Sequence, residues 1–134
     1  MPGPLEKYSC WLPRHRKSVP VARQQLRDCF AGRPDAEPFL DTGELVLSEL
    51  VTNAVLHASV PLDRLIFVHF ELSSSLRIEV HDADATRPTL NSPTECDETG
   101  RGLFLVSQLA ARWGCCPREG GIGKIVWAQI GGAQ

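Results

Sequence analysis

The chain has 134 residues, with 14 Lys and Arg against 16 Asp and Glu, a formal charge of −2, and 43% hydrophobic against 22% charged residues. This suits one globular domain rather than a disordered chain, and the near-neutral balance removes the electrostatic case for direct nucleic-acid binding, which needs a basic excess. No apolar run approaches the ~20 residues of a bilayer helix, and the N-terminal segment has no signal-peptide core, so a cytoplasmic protein without a membrane segment is expected.

The five cysteines are odd in number, form no CxxC, and include the adjacent Cys115 and Cys116. This suggests neither a disulfide framework nor a zinc ribbon, and five free thiols are expected.

Residues 1–17 carry three prolines and the basic cluster Arg14-His15-Arg16-Lys17. They read as a loose arm with a short strand near Cys10–Leu12 and a solvated charge cluster, and the domain proper is expected over 18–134. A helix is predicted over about 20–31, with Ser18 as N-cap, Pro20 in its first turn and Gly32 as its stop. The next helix starts from the capping-box-like pair Asp41 and Glu44. Its apolar positions Leu47, Leu50, Val51, Ala54, Val55 and Ala58 fall on one face, and Pro61 ends it. Ile66, Val68, Phe70 and Leu72, then Leu76, Ile78 and Val80, alternate as two strands joined at Ser73-Ser74-Ser75.

Residues 83–99 lack periodicity, and a loop of that length in a compact domain usually serves as a lid or binding loop. A third helix is predicted over about 102–112 with Gly114 after its end. A last hairpin follows, from a strand near Trp113–Arg118 through Glu119-Gly120-Gly121 to a strand over Lys124–Ile130. The order implies an α+β two-layer sandwich, a mixed, mostly antiparallel sheet covered on one face by three helices.

Three elements could carry chemistry. Glu49, Asn53 and His57 are spaced i, i+4, i+8 and form one ridge of the second helix. A carboxylate and an amide oxygen one turn apart suit a general base and a hard cation, and equally the wet face of an amphipathic helix. Asp82, at the end of a strand, offers an acceptor-only carboxylate for an exocyclic amine, or simply starts a turn. Gly100-Arg101-Gly102 at a helix N-terminus suits phosphate, though a two-glycine signal is weak alone. Leu105 stands where a dinucleotide fingerprint needs its third glycine, and Ile125 where a P-loop needs Ser or Thr.

Together the run Ser48-Glu49-Leu50-Val51-Thr52-Asn53-Ala54-Val55-Leu56-His57, Asp82 after its strand, and Gly100-Arg101-Gly102-Leu103 closing a lid resemble the ATPase domain of the GHKL superfamily, the Bergerat fold that includes gyrase and the histidine kinases. Within it, the short chain and the Ser48–Ala54 run resemble the stand-alone anti-sigma factor and serine-protein kinase branch, as does the last strand from Gly123 to Ala128. The resemblance covers about residues 18–130.

It implies an ATP-binding regulator using Mg2+. By resemblance Glu49 is the general base that prepares a substrate serine, and Asn53 ligates Mg2+. Asp82 reads the adenine amino group, and His57 lies near the nucleotide. Gly100 and Gly102 wrap the phosphates beside Leu103. Arg101, between them, is a phosphate partner on charge grounds. The implied partners are a sigma factor and an anti-anti-sigma antagonist that carries the target serine, and members of the branch often form homodimers. The chain departs from the family pattern Asp-x-Gly-x-Gly, reading Asp82-Ala83-Asp84-Ala85-Thr86. Ile125 also replaces a hydroxyl residue common near the start of the last strand. The alternative reading is a non-catalytic partner-binding module of the same fold.

Overall fold

The computed structural model describes residues 5–56, 65–82, 101–117 and 123–132. Its elements are β1 (Glu6–Pro13), α1 (Ser18–Cys29), α2 (Glu37–Leu56), β2 (Leu65–Leu72), β3 (Leu76–Asp82), α3 (Arg101–Leu109), β4 (Arg112–Pro117) and β5 (Lys124–Ile130). The strands form one sheet in the order β1-β2-β3-β5-β4, and each described neighbour pair is antiparallel. α2 packs against β3 and β5, and α1 and α3 pack on α2. The result is the expected two-layer α+β sandwich, with a wholly antiparallel sheet among the described strands.

Alternation decides what enters the core. Ile66, Val68, Phe70 and Leu72 of β2, Leu76, Ile78 and Val80 of β3, and Val126, Ala128 and Ile130 of β5 are buried, and they meet Val46, Leu47, Leu50, Val51 and Ala54 of α2. Burying one such side chain contributes roughly 1.5–3 kcal/mol, so this helix face and this sheet face hold the layers together. α2 comes close to the sheet at Gly43, where a Cβ would sit 2.9 Å from Leu76 Cδ2 and 3.3 Å from Leu26 Cδ2. Glycine there lets α1, α2 and β3 converge.

Several expectations are corrected. The segment read as a loose arm is built into the sheet: β1 pairs with β2 from Glu6↔Leu72 to Pro13↔Leu65. As an edge strand it is only half covered, so its inward Tyr8, Cys10 and Leu12 alternate with exposed residues, a weak sequence signal. Ser18 is the first residue of α1 rather than its cap, and its hydroxyl donates instead to the Pro13 carbonyl at 2.6 Å. α2 begins at Glu37, not near Asp41, because Pro38 is tolerated in a first turn. Asp41 accepts a hydrogen bond from Arg27 of α1 at 2.8 Å.

Gly114 does not stop α3. It lies within β4, where a Cβ would come 2.9 Å from Trp127 Nε1. Cys10, Cys29 and Cys116 are free thiols, but Cys115 is disulfide-bonded. Bridging depends on Cβ proximity in space, which residue spacing does not set. The Pro61 stop, the 83–99 loop and the Glu119-Gly120-Gly121 turn lie outside the described residues.

No described helix is long and apolar enough to cross a membrane. The sheet face opposite the helices carries Trp11 against Phe67 with ring centroids 4.8 Å apart, and Arg77 over the Trp127 ring at 4.4 Å. Arg77 Nε also donates to Glu79 at 2.7 Å, and His81 Nε2 lies 2.9 Å from the other Glu79 oxygen. Burial pushes the Glu79 carboxyl up, but the His81 and Arg77 hydrogen bonds outweigh it and hold the group below its ordinary 4.5.

A depressed folded-state value adds stability that is present above the unfolded value and lost as pH falls through the folded one. Glu79→Gln is therefore expected to flatten the acid limb of the urea midpoint, measured from about pH 7 to about pH 3. An acid limb identical to wild type would remove Glu79 from that role.

Candidate functional site

α2 carries the ridge. Its apolar face is held down by Val46, Leu50 and Val51, which leaves Glu49 half-buried and Asn53 buried, 6% exposed, one turn apart. Asn53 Oδ1 has no hydrogen-bond partner among the described residues. A buried acceptor without a partner costs about 1–3 kcal/mol, a cost that a ligand's donor or a cation would remove. Glu49 makes no hydrogen bond or ion pair among the described residues, so its carboxylate is not tied to the scaffold.

Asp82 ends β3 at the inward position that follows Ile78 and Val80, and it is buried, 4% exposed. Its partner was missed by the sequence reading. Arg14, taken as part of a solvated cluster, is 1% exposed. Its Nη2 donates to both Asp82 oxygens, at 2.8 and 2.9 Å, and its Nε donates to the Ala54 carbonyl of α2 at 3.3 Å.

This one side chain therefore joins the end of β1, the end of β3 and the α2 turn that carries Asn53. Asp82 lies on the same side of the sheet as the Glu49–Asn53 ridge. A signal for Arg14 exists in the sequence: it continues the inward series Tyr8, Cys10, Leu12 at the strand period. Lys124, the register partner of Asp82 on β5, brings a second cation to this end of the sheet. Ile125 pairs with His81 and Cys116 on the uncovered face, so it does not stand beside the Asp82 carboxylate.

Arg101 and Gly102 open α3, whose free N–H groups and dipole favour an anion. Leu103, in the first turn, is buried, and α3 packs on α2. His57 and Gly100 lie outside the described residues. The open groove between α1 and α2 lined by Arg23, Arg27 and Asp41 is a separate feature. Across it Arg27 pairs with Asp41 and with Glu44, and Arg23 donates to the Ser48 hydroxyl.

The donor set is oxygen-rich on α2, anionic but cation-neutralised at Asp82, and N–H-rich at the start of α3. Such a set can hold a hard cation, an amine and a phosphate chain. Among the described residues, no group of three or more His, Cys, Asp or Glu could hold a metal by itself.

No curated protein matches the chain significantly. A family model for the histidine kinase-like ATPase domain matches residues 12–130. With the match running from β1 to β5 over this antiparallel sandwich, the protein belongs to the histidine kinase-like ATPase family, within the GHKL-type superfamily of ATP-binding domains.

Proposed function

We propose that this protein is an ATP-dependent serine-protein kinase and anti-sigma factor acting in the cytoplasm. It would phosphorylate a small anti-anti-sigma antagonist and, once that antagonist is released, hold a sigma factor. A second copy of the chain is a further expected partner. The observation that carries this reading is the buried Oδ1 of Asn53, without a hydrogen-bond partner among the described residues, one turn from Glu49. An amide oxygen presented without a protein partner fits Mg2+, which takes few protein ligands and prefers oxygen.

Bound Mg2+·ATP would supply the γ-phosphoryl group to the serine oxygen and leave as ADP. Asn53 would hold the cation, and Glu49 would take the proton of the target serine. Asp82 would accept a hydrogen bond from the adenine amine, and His57, outside the described residues, is proposed beside the nucleotide. The backbone at Gly100, Arg101 and Gly102 donates to the phosphates over Leu103. Catalysis in phosphoryl transfer is mostly positioning and charge neutralisation, which is what such residues supply.

The direct test is calorimetric titration with Mg2+·ATP and Mg2+·ADP, followed by transfer of labelled phosphate to antagonists captured from the native cell with and without ATP. Absence of binding to both nucleotides sinks the reading. Asn53→Ala is expected to weaken Mg2+·ATP binding at least about tenfold. Its nucleotide-free stability should change by less than about 1 kcal/mol, because Oδ1 has no hydrogen-bond partner among the described residues. Unchanged affinity in that variant would remove Asn53 as the cation ligand. The second reading, a partner-binding module without transfer, is favoured by Asp84 and Thr86 at the glycine positions. Binding of partner and nucleotide without transfer would select it.

A further inference from the structure

We infer that Arg14 is a positioning residue that sets the base specificity of the site: it holds Asp82 ionised and aimed, so that the pocket takes a purine with an exocyclic amine and rejects one with a keto oxygen there. The inference rests on the nucleotide reading above and adds a residue outside the Ser48–His57, Asp82 and Gly100–Leu103 elements.

The turn after β1 is built to deliver this side chain inward. The Pro13 carbonyl accepts from the His15 N–H at 2.8 Å and from the Ser18 hydroxyl at 2.6 Å, and the Ser18 N–H donates to the His15 carbonyl at 2.8 Å. The chain thus reverses into α1 with residue 14 beneath it. The guanidinium is held from two sides, by both oxygens of Asp82 and by the Ala54 carbonyl, so its plane fixes the carboxylate relative to α2.

Around Asp82, β2 offers the fully buried, apolar Ile66 and β5 offers Lys124, while α2 offers Asn53 and Ala54. Among the described residues, Arg14 is the cation that grips the carboxylate directly.

A carboxylate this deeply buried favours its neutral acid unless a cation faces it. The ionised form only accepts hydrogen bonds, whereas the acid can also donate one. Only the ionised form therefore distinguishes an amine, which donates, from a keto oxygen, which accepts. Arginine suits the task because one planar group reaches carboxylate and backbone carbonyl together, which an ammonium does not.

The test is calorimetric affinity of the full chain for Mg2+·ATP and for the Mg2+ complex of inosine triphosphate, with thermal unfolding recorded for each variant. Wild type is expected to prefer ATP by at least about tenfold. Arg14→Met is expected to lose at least about tenfold for ATP and to change less than about threefold for inosine triphosphate, so that the preference vanishes. Arg14→Lys should keep most of the preference. Arg14→Gln, which retains an amide donor without charge, carries the same expectation as Arg14→Met and replaces it should that variant not fold.

Equal weakening for both nucleotides, with the preference kept, would make Arg14 merely structural and overturn the inference. Tighter ATP binding in Arg14→Met would overturn it in the opposite way, by showing that Arg14 blocks the carboxylate. Wild type binding neither nucleotide marks the failure of the nucleotide reading itself, a result distinct from both.

Discussion

Glu49→Gln is expected to lower phosphoryl transfer by about 10²–10⁴-fold while leaving the affinity for Mg2+·ATP within about threefold. The substitution keeps the size and helix propensity of the side chain and removes only its capacity to take a proton. Glu49 shares a ridge with Asn53 and has no ion pair or hydrogen bond among the described residues, so its loss should not disturb the scaffold. The apolar face of α2, buried through Val46, Leu50 and Val51, stays in place. Single-turnover transfer to a captured antagonist, measured beside a nucleotide titration, separates the two effects. Transfer at the wild-type rate would remove Glu49 as the base, and a parallel loss of affinity would assign it to binding instead.

Asp82→Leu is expected to destabilise the domain by about 3–5 kcal/mol, since it takes from the buried Arg14 cation the carboxylate that accepts from it at 2.8 and 2.9 Å. For a chain of this length that corresponds to a fall in Tm of ~10 °C or more. The pair is almost completely removed from water, with side-chain exposures of 1% and 5%, so solvent screens it little. Removing both charges should behave differently. Arg14→Met combined with Asp82→Leu is expected to recover most of the loss, because desolvation of two ions costs about as much as their attraction returns. Urea unfolding of the wild type, the two single variants and the double variant closes the cycle. A double variant no more stable than Asp82→Leu would show that the loss comes from packing rather than from an orphaned charge. Nucleotide affinity should stay low in the double variant even as stability returns, which separates the structural role of the pair from its role in recognition.

Much of the architecture was legible because it rests on local repeats. The apolar spacing along α2 and the alternation in β2, β3 and β5 follow from backbone geometry, which repeats every 3.6 or 2 residues whatever the rest of the chain does. The Glu49–Asn53 ridge was legible for the same reason. Element ends were less so. Asp41 and Glu44 imitate a cap inside α2, and Gly114 imitates a helix stop inside β4, because the same residue types serve caps, ion pairs and close contacts.

From its order of residues alone, this protein is an α+β chain with a polar ridge on its second helix, a carboxylate closing its third strand and a glycine-flanked helix start. Only the tertiary structure decided that Arg14 belongs with Asp82, 68 residues away, and that Asn53 is buried with an oxygen that no described residue meets. The reason is physical. A charged residue beside others looks the same in sequence whether water or a distant carboxylate balances it. That balance is settled when β1 closes the edge of the sheet and carries residue 14 under α2, a long-range event that no local repeat records.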